Sequence, residues 1–154
     1  MASLEQIQAF LGQKRLAFVG LSRQDKDFSR ILFNEFQKRG YEVIPVNPNA
    51  DEIAGLKCYA HVQDIEPPVE NALIITPSEA TEGVVQDCAT AGVKRVWMHR
   101  GEGIGAVSQP ALDYCQAHQI DVVDGYCPFM FFENAQWFHR LHGFVVKVTG
   151  KYPQ

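Results

Sequence analysis

The sequence has no apolar run near the roughly 20 residues that a membrane-spanning helix needs. Its start, Met1–Gln13, lacks the basic and apolar regions of a secretion signal. Its 14 lysines and arginines are outnumbered by 18 aspartates and glutamates, which gives a formal net charge of −4. We therefore expect that the protein does not bind nucleic acid or an anionic membrane through its overall charge. Binding of a small anion in a local pocket is not excluded by this charge. These features favour a soluble, cytoplasmic protein.

The sequence has four cysteines, and their spacing favours neither a disulfide framework nor a metal site. The four cysteines form no C-x-x-C pair, and no group of cysteines and histidines has structural-zinc spacing. Cys88 and Cys115 fall on the apolar faces of predicted helices, where cysteine usually acts as a small buried hydrophobe. His139 and His142 are spaced i, i+3 without a third ligand, so we interpret them as packing residues and expect no metal.

Nothing along the chain marks a boundary between domains. No linker, repeat or low-complexity stretch interrupts it, and 154 residues are enough for one hydrophobic core. Short apolar runs alternate with helical patterns, which predicts an α/β fold. We expect one domain over residues 1–154, with its core at about 15–129. A helical extension at about 133–154 is a candidate contact between copies of the chain.

Five apolar runs are predicted to form a mainly parallel, doubly wound sheet with helices on both faces. A further short strand at Lys57–Tyr59 would make six. Residues 49–55 are predicted to be loop, and Ser78 is predicted to cap the helix after the third run. Ligands of such sheets bind at the carboxyl ends of the strands. The runs end, in chain order, at Val19, Val46, Ile75, Met98 and Val123.

The loop after the first run has the features of a phosphate site. Gly20 lets the backbone turn tightly and approach a ligand. The next helix is expected to offer free N–H groups and a positive dipole end, which suit an anion. A solvated loop with an ordinary helix cap is the alternative, and the loop alone does not decide. The side chains that would contribute hydroxyls or charge are Ser22, Arg23, Lys26, Ser29 and Arg30.

This loop is not the G-x-G-x-x-G fingerprint of dinucleotide-binding proteins. The second and third glycines would fall on Ser22 and Asp25. The carboxylate for the ribose hydroxyls, expected about 20 residues further on, is absent from the segment Val46–Pro48. The length also leaves little room for a substrate domain. A nicotinamide-dependent dehydrogenase is therefore disfavoured.

Two strand ends are stiffened by proline. Pro48 follows Val46 and Asn47, which makes a rigid wall for a planar base, with Asn47 offering a donor and an acceptor. A stiff turn is the simpler alternative. Thr76–Pro77 is the second rigid end, and there a plain strand terminator is the favoured interpretation.

The last two strand ends carry residues with catalytic chemistry. His99, Arg100 and Glu102 follow the fourth run and suit acid–base or phosphate roles, or simply an exposed polar loop. Cys127 follows the fifth run and would be a nucleophile if its pKa were depressed. No base is evident beside it, so a structural cysteine is favoured.

Several motifs together resemble one known family, the small bacterial and archaeal CoA-binding domain proteins. These are similar to the N-terminal CoA-binding domain of the succinyl-CoA synthetase alpha subunit. The resemblance covers about residues 15–129 in order and register. The motifs are AFVGLSR at 17–23, PVNP at 45–48, GLKCY at 55–59, ITPSEA at 75–80, GVKRVW at 92–97 and CP at 127–128.

The resemblance implies a Rossmann-like domain that holds coenzyme A or an acyl-CoA across the strand ends. The residues that it implies around the phosphates are Gly20, Ser22, Arg23, Lys26 and Ser29, with Phe28 in the same segment. Those implied beside the adenosine are Val46, Asn47 and Pro48. Those implied on the pantetheine side are Thr76 and Pro77, with His99 and Arg100 nearby. Family members often carry Gln-x-Gly where this chain has His-Arg-Gly at 99–101. The resemblance therefore does not define the ligand contacts of this loop.

The chemistry of the synthetase does not carry over. It uses a phosphorylated histidine in another domain and a nucleotide site in a separate subunit, and none of the five histidines here matches that motif. The leading hypothesis is a CoA-binding or sensor module without catalysis of its own. The alternative is an enzyme of nicotinamide-linked or acyl-CoA transfer type that uses Cys127 or His99.

Overall fold

The computed structural model describes residues 2–101 and 103–132, which form an α/β fold with four helices and a five-stranded parallel sheet. In chain order the elements are α1 (Leu4–Leu11), β1 (Arg15–Val19), α2 (Phe28–Lys38), β2 (Glu42–Val46), β3 (Glu52–Ile53), β4 (Leu56–Lys57), β5 (Asn71–Ile74), α3 (Ser78–Ala91), β6 (Arg95–Met98), α4 (Gln109–Ala117) and β7 (Asp121–Asp124). Two short 3₁₀ turns lie at Val62–Asp64 and Pro128–Phe131.

The strand order of the main sheet is β2-β1-β5-β6-β7, and every neighbouring pair is parallel. The chain winds outward in one direction from β1 to β2 and in the other from β5 to β7. The topological switch therefore lies between β1 and β5, where ligands of doubly wound sheets bind. The predicted doubly wound, Rossmann-like fold is confirmed.

The short strand predicted at Lys57–Tyr59 exists in part, as β4, but it does not join the main sheet. The loop predicted over residues 49–55 is wrong in part, because Glu52–Ile53 forms β3. The short strands β3 and β4 pair with each other in a separate antiparallel hairpin. Ala54 and Gly55 both have positive φ, 55° and 74°, as the tightest hairpin turns require. Tyr59 adds only an isolated parallel bridge to Val46 at the edge of the main sheet.

Helices cover both faces of the sheet, as predicted. Phe33 and Phe36 of α2 and Phe10 of α1 pack on one face, around Phe18 and Trp97 from the strands. The second core lies under α3 and α4 on the opposite face. It includes Cys88 and Cys115, which are fully buried as expected and whose thiol pKa values are raised by that burial.

Several sequence-based expectations fall outside the described residues. These are the helical extension at 133–154 with its proposed contact between copies, the packing roles of His139 and His142, and the polar role of Glu102. Within residues 2–101 and 103–132, no helix has the length and apolar character needed to cross a membrane.

Candidate functional site

The loops after β1, β2 and β5 are tied together at the carboxyl edge of the sheet. The Gly20 N–H donates to the carbonyl of Val46 at 3.1 Å, and the Ile75 N–H donates to the carbonyl of Val19 at 2.9 Å. Hydrogen bonding between neighbouring strands thus continues past the ends of the strands. The three loops at the switch point, where a ligand would bind, are therefore held together by backbone hydrogen bonds.

Gly20 is favoured by its backbone conformation and by a close contact between two loops. Its φ is +95°, and a Cβ at this position would lie only 3.1 Å from both the backbone nitrogen and the Cγ2 of Thr76. A larger residue would be strained by this φ and would need the loop after β5 to move by a few tenths of an ångström. Sequence reasoning assigned this glycine to the approach of a ligand, and the structure adds the close contact with Thr76.

The first turn of α2 is capped by a carboxylate, so the expectation of free N–H groups there is wrong in part. Asp27 Oδ1 accepts a hydrogen bond from the Ser29 N–H at 2.9 Å. Ser29 Oγ accepts one from the Ser22 N–H at 3.0 Å, and Ser22 Oγ accepts one from the Gln24 N–H at 3.1 Å. These groups hold the loop in shape. An aspartate directly before an apolar helical stripe is the cap signal that could have predicted this.

The three cations of this loop have different environments. Arg30 is buried, its Nη2 lies 2.9 Å from Asp25 Oδ1, and its Nη1 contacts two loop carbonyls at 3.4 Å. Arg30 therefore stabilises the conformation of the loop through contacts within the protein. Arg23 and Lys26 are exposed and have no ion pair with any residue of the described ranges. These two side chains are therefore available to contact an anionic ligand.

Asn47 joins the second loop to the first. Its Nδ2 donates to the carbonyl of Leu21 at 3.0 Å, and its Oδ1 accepts from the Asn49 N–H at 2.8 Å. Its backbone N–H donates to the carbonyl of Tyr59 at 2.9 Å. Both polar ends of the side chain thus have partners in the protein, so its clearest role is to position the loops. Pro48 is exposed beside it.

A threonine pair connects the loop after β5 to α3. Thr81 is fully buried, and its Oγ1 donates to the carbonyl of Ala106 at 2.7 Å and lies 3.3 Å from Thr76 Oγ1. Sequence reasoning missed Thr81, which sits on the buried side of its helix. The predicted Ser78 cap is wrong. Pro77, with its φ at −56°, precedes the helix directly, and no side chain caps it.

His99 is buried at the end of β6. The residue is 7% exposed, and its ring centroid lies 5.4 Å from that of Phe28 at the start of α2. Phe28 is 38% exposed and also contacts Phe129, with a centroid distance of 6.1 Å. Burial lowers the pKa of His99 to about 4, so the imidazole is neutral at physiological pH.

Arg100 extends toward the neighbouring loops on the β7 side. Its backbone N–H donates to the carbonyl of Tyr126 at 3.3 Å, and its Nε donates to the carbonyl of Gly103 at 2.6 Å. The residue is exposed. The candidate residues therefore form two neighbouring groups, one around the loops of β1, β2 and β5 and one around β6.

Cys127 lacks the environment of an activated nucleophile. The residue is buried, and that burial raises the pKa of its thiol to about 11. The thiol is therefore protonated at neutral pH, whereas a nucleophilic cysteine needs a lowered pKa. In residues 2–101 and 103–132, no group of three or more histidine, cysteine or acidic side chains is arranged to hold a metal ion.

A family model described as a CoA binding domain matches residues 14–133 of the chain. The uncharacterised protein YneT of Bacillus subtilis is 33% identical over 88 residues, which are 57% of this chain and 65% of that protein. The ADP-forming acetate–CoA ligase of Methanocaldococcus jannaschii is 31% identical over 81 residues, which are 53% of this chain and 12% of the ligase. The match thus spans only part of each curated relative.

The fold is also found in solved structures. A conserved hypothetical protein from Pyrococcus furiosus superposes with a TM-score of 0.68 at 30% sequence identity. The superposition covers 74% of this chain and 95% of that one. The similarity therefore extends over nearly the whole of a small protein, in addition to a segment of a much longer ligase.

Proposed function

This chain belongs to the CoA binding domain family, as its motifs suggested, and from that premise we propose that it binds coenzyme A or an acyl-CoA at the carboxyl edge of its sheet. The observation that carries the proposal is the family match over residues 14–133, which includes every strand-end loop described above. The two unpaired cations in the loop after β1 support it, because coenzyme A is rich in phosphate.

The proposed layout follows the two groups of residues. The 3′-phosphate and diphosphate would lie over the loop after β1, near Gly20, Ser22, Arg23, Lys26 and Ser29. The adenosine would lie beside Val46, Asn47 and Pro48. The pantetheine arm would run past Thr76 and Pro77 toward Phe28, His99 and Arg100. The hydrogen bonds of Asn47 support a fixed distance between the first two regions.

We further propose a single-domain, cytoplasmic binding or sensor module that catalyses no reaction of its own. The protonated thiol of Cys127 and the buried, neutral ring of His99 support this proposal, since neither is prepared for nucleophilic or acid–base work near neutral pH. The same two observations count against an enzyme that would use either residue.

Ligand selectivity tests the proposed function directly. In titration calorimetry we expect coenzyme A to bind more tightly than dephospho-CoA, which lacks the 3′-phosphate, and NAD to show no measurable binding. The expected order reflects the unpaired cations and the missing ribose-binding carboxylate. Undetectable binding of coenzyme A, or equal binding of NAD, would refute the proposal.

The exposed cations should contribute most of the phosphate affinity. Arg23→Ala and Lys26→Ala are each expected to weaken CoA binding about tenfold, because a hydrogen bond to a charged group contributes at least about 1.5 kcal/mol. The affinity of the unchanged protein should also fall as salt rises, and this dependence should be smaller in the double variant.

Lys38→Ala is the matched control for these variants. Lys38 lies in the last turn of α2, at the end of the helix opposite the loop after β1. Its substitution therefore removes one positive charge far from the proposed phosphate contacts. Its variant should bind coenzyme A as tightly as the unchanged protein does. Equal losses for all three substitutions would mean that only net charge matters, and the proposed phosphate contacts would be wrong.

A further inference from the structure

Within the described residues, a few buried side-chain atoms have no hydrogen-bond partner. Arg30 and Asn71 are held by their other polar atoms, and Arg95 lies at the amino end of β6, away from the proposed site. His99 lies at the carboxyl edge, and its side chain makes no hydrogen bond to any described residue. The unpaired atoms are Arg30 Nε, Asn71 Oδ1, Arg95 Nε and Nη1, and His99 Nε2.

The ring of His99 lies just below the surface. One side contacts Phe28, which is itself partly exposed. The Cε1 atom, which is bonded to both ring nitrogens, lies 3.6 Å from where a Cβ of Gly101 would be. The ring therefore lies close to a backbone segment that has no side chain. Because Nε2 is itself buried, a bound molecule would reach it only if Phe28 or this loop shifted.

The environment of the ring favours an uncharged partner. Buried polar atoms in proteins are nearly always paired, since an unpaired one loses the hydrogen bond that water would supply. The ring is neutral at physiological pH and lies against the aromatic ring of Phe28, which in turn contacts Phe129. A phosphate would be poorly matched to this place, whereas an amide, which both donates and accepts, would be well matched.

The order of the strands separates His99 from the cationic loop. β6 is two strands away from β1, which at the usual strand spacing is roughly 10 Å. If the phosphates lie over the loop after β1, the part of the ligand that reaches β6 is the pantetheine arm. That arm carries two amide groups and apolar methyl groups, which suit His99 and Phe28 respectively.

We propose that His99 is a specificity-determining residue of the site, and that its Nε2 forms a hydrogen bond with an amide of the pantetheine arm of coenzyme A. This inference rests on the proposed function, because it assigns a contact within the same CoA site. It gives a role to the residue at which this chain departs from the Gln-x-Gly pattern of the family that it resembles.

The test compares two ligands that differ only in this arm. Coenzyme A and 3′-phosphoadenosine 5′-diphosphate share the nucleotide and all phosphates. His99→Leu should weaken binding of coenzyme A about tenfold, as expected for the loss of one hydrogen bond with its partner left unpaired. The same variant should leave binding of the nucleotide unchanged. His99→Gln, whose amide can replace the imidazole nitrogen, should retain CoA affinity within about threefold of the original.

The possible results distinguish the two proposals. If the unchanged protein binds no coenzyme A, both the proposed function and the role of His99 are overturned. If it binds coenzyme A, but His99→Leu changes the affinity for both ligands equally or for neither, only the role of His99 is overturned. In that case the partner of Nε2 is an ordered water or none. Should His99→Leu fail to fold, His99→Met supplies the same comparison.

Discussion

Gly105→Ala should lower the free energy of unfolding by about 3 kcal/mol or more, because two separate costs add at this position. The φ of Gly105 is +62°, a left-handed conformation that L-residues with a side chain seldom adopt. A Cβ there would also lie 2.9 Å from the Cα of Arg100 and would overlap the carbonyl oxygen of His99. Both contacts are with backbone atoms, which cannot move without distorting the loop. Urea unfolding at neutral pH measures the loss.

Gly103→Ala is the matched control in the same loop. Gly103 also has a positive φ, 77°, but a Cβ there would meet no atom within 4 Å. Its variant should lose only the conformational cost, about 1 kcal/mol. The difference between the two variants isolates the backbone overlap at Gly105. Equal small losses would mean that the loop after β6 does not fold back on His99 as described.

The loop that contains Gly105 is connected by hydrogen bonds to residues at the ends of β5 and β6. The carbonyl oxygen of His99 accepts a hydrogen bond from the Ala106 N–H at 2.9 Å, and the carbonyl of Ala106 accepts one from Thr81 at 2.7 Å. Since Thr81 also contacts Thr76, a continuous set of hydrogen bonds connects the ends of β5 and β6. A disturbance at Gly105 should therefore reach both groups of candidate residues.

The main sheet could be predicted from the sequence because its signals are local and repeated. Each buried strand is a short apolar run followed by a loop, and the helices between them carry apolar stripes with clear ends. The hairpin of β3 and β4 could not be predicted in this way. Its strands have two residues each, and its turn places Ala54, a residue without special turn preference, at positive φ.

The loops of the candidate site were predictable in position and less so in detail. The cap by Asp27 was readable, because its signal lies within two residues of its partner. The burial of Arg30 and its pairing with Asp25 depend on how the loop folds over α2, and no spacing in the sequence encodes that. His99 is buried at the end of β6, where Phe28, distant in sequence, lies against its ring, so its low pKa is a tertiary effect.

The buried ring of His99 should make the stability of the protein depend on pH. In the unfolded chain a histidine has a pKa near 6.5, whereas in the folded protein burial lowers the pKa of His99 to about 4. Between these values the unfolded state binds a proton that the folded state does not. The contribution of His99 is therefore fully present above about pH 6.5 and is lost as the pH falls toward 4. The total loss is about 3 kcal/mol, of which about 2 kcal/mol falls between pH 7 and pH 5.

Chemical unfolding of the unchanged protein and of His99→Gln at pH 7 and pH 5 measures this contribution. Glutamine does not titrate, so the variant should keep about 2 kcal/mol more of its stability at pH 5 than the unchanged protein does. The carboxylates and the other histidines are common to both proteins, and their effects cancel in the difference. Curves that stay parallel from pH 7 to pH 5 would mean that His99 titrates normally in the folded state. Its ring would then be open to water, and neither the burial at the end of β6 nor a preference for an uncharged ligand group would hold.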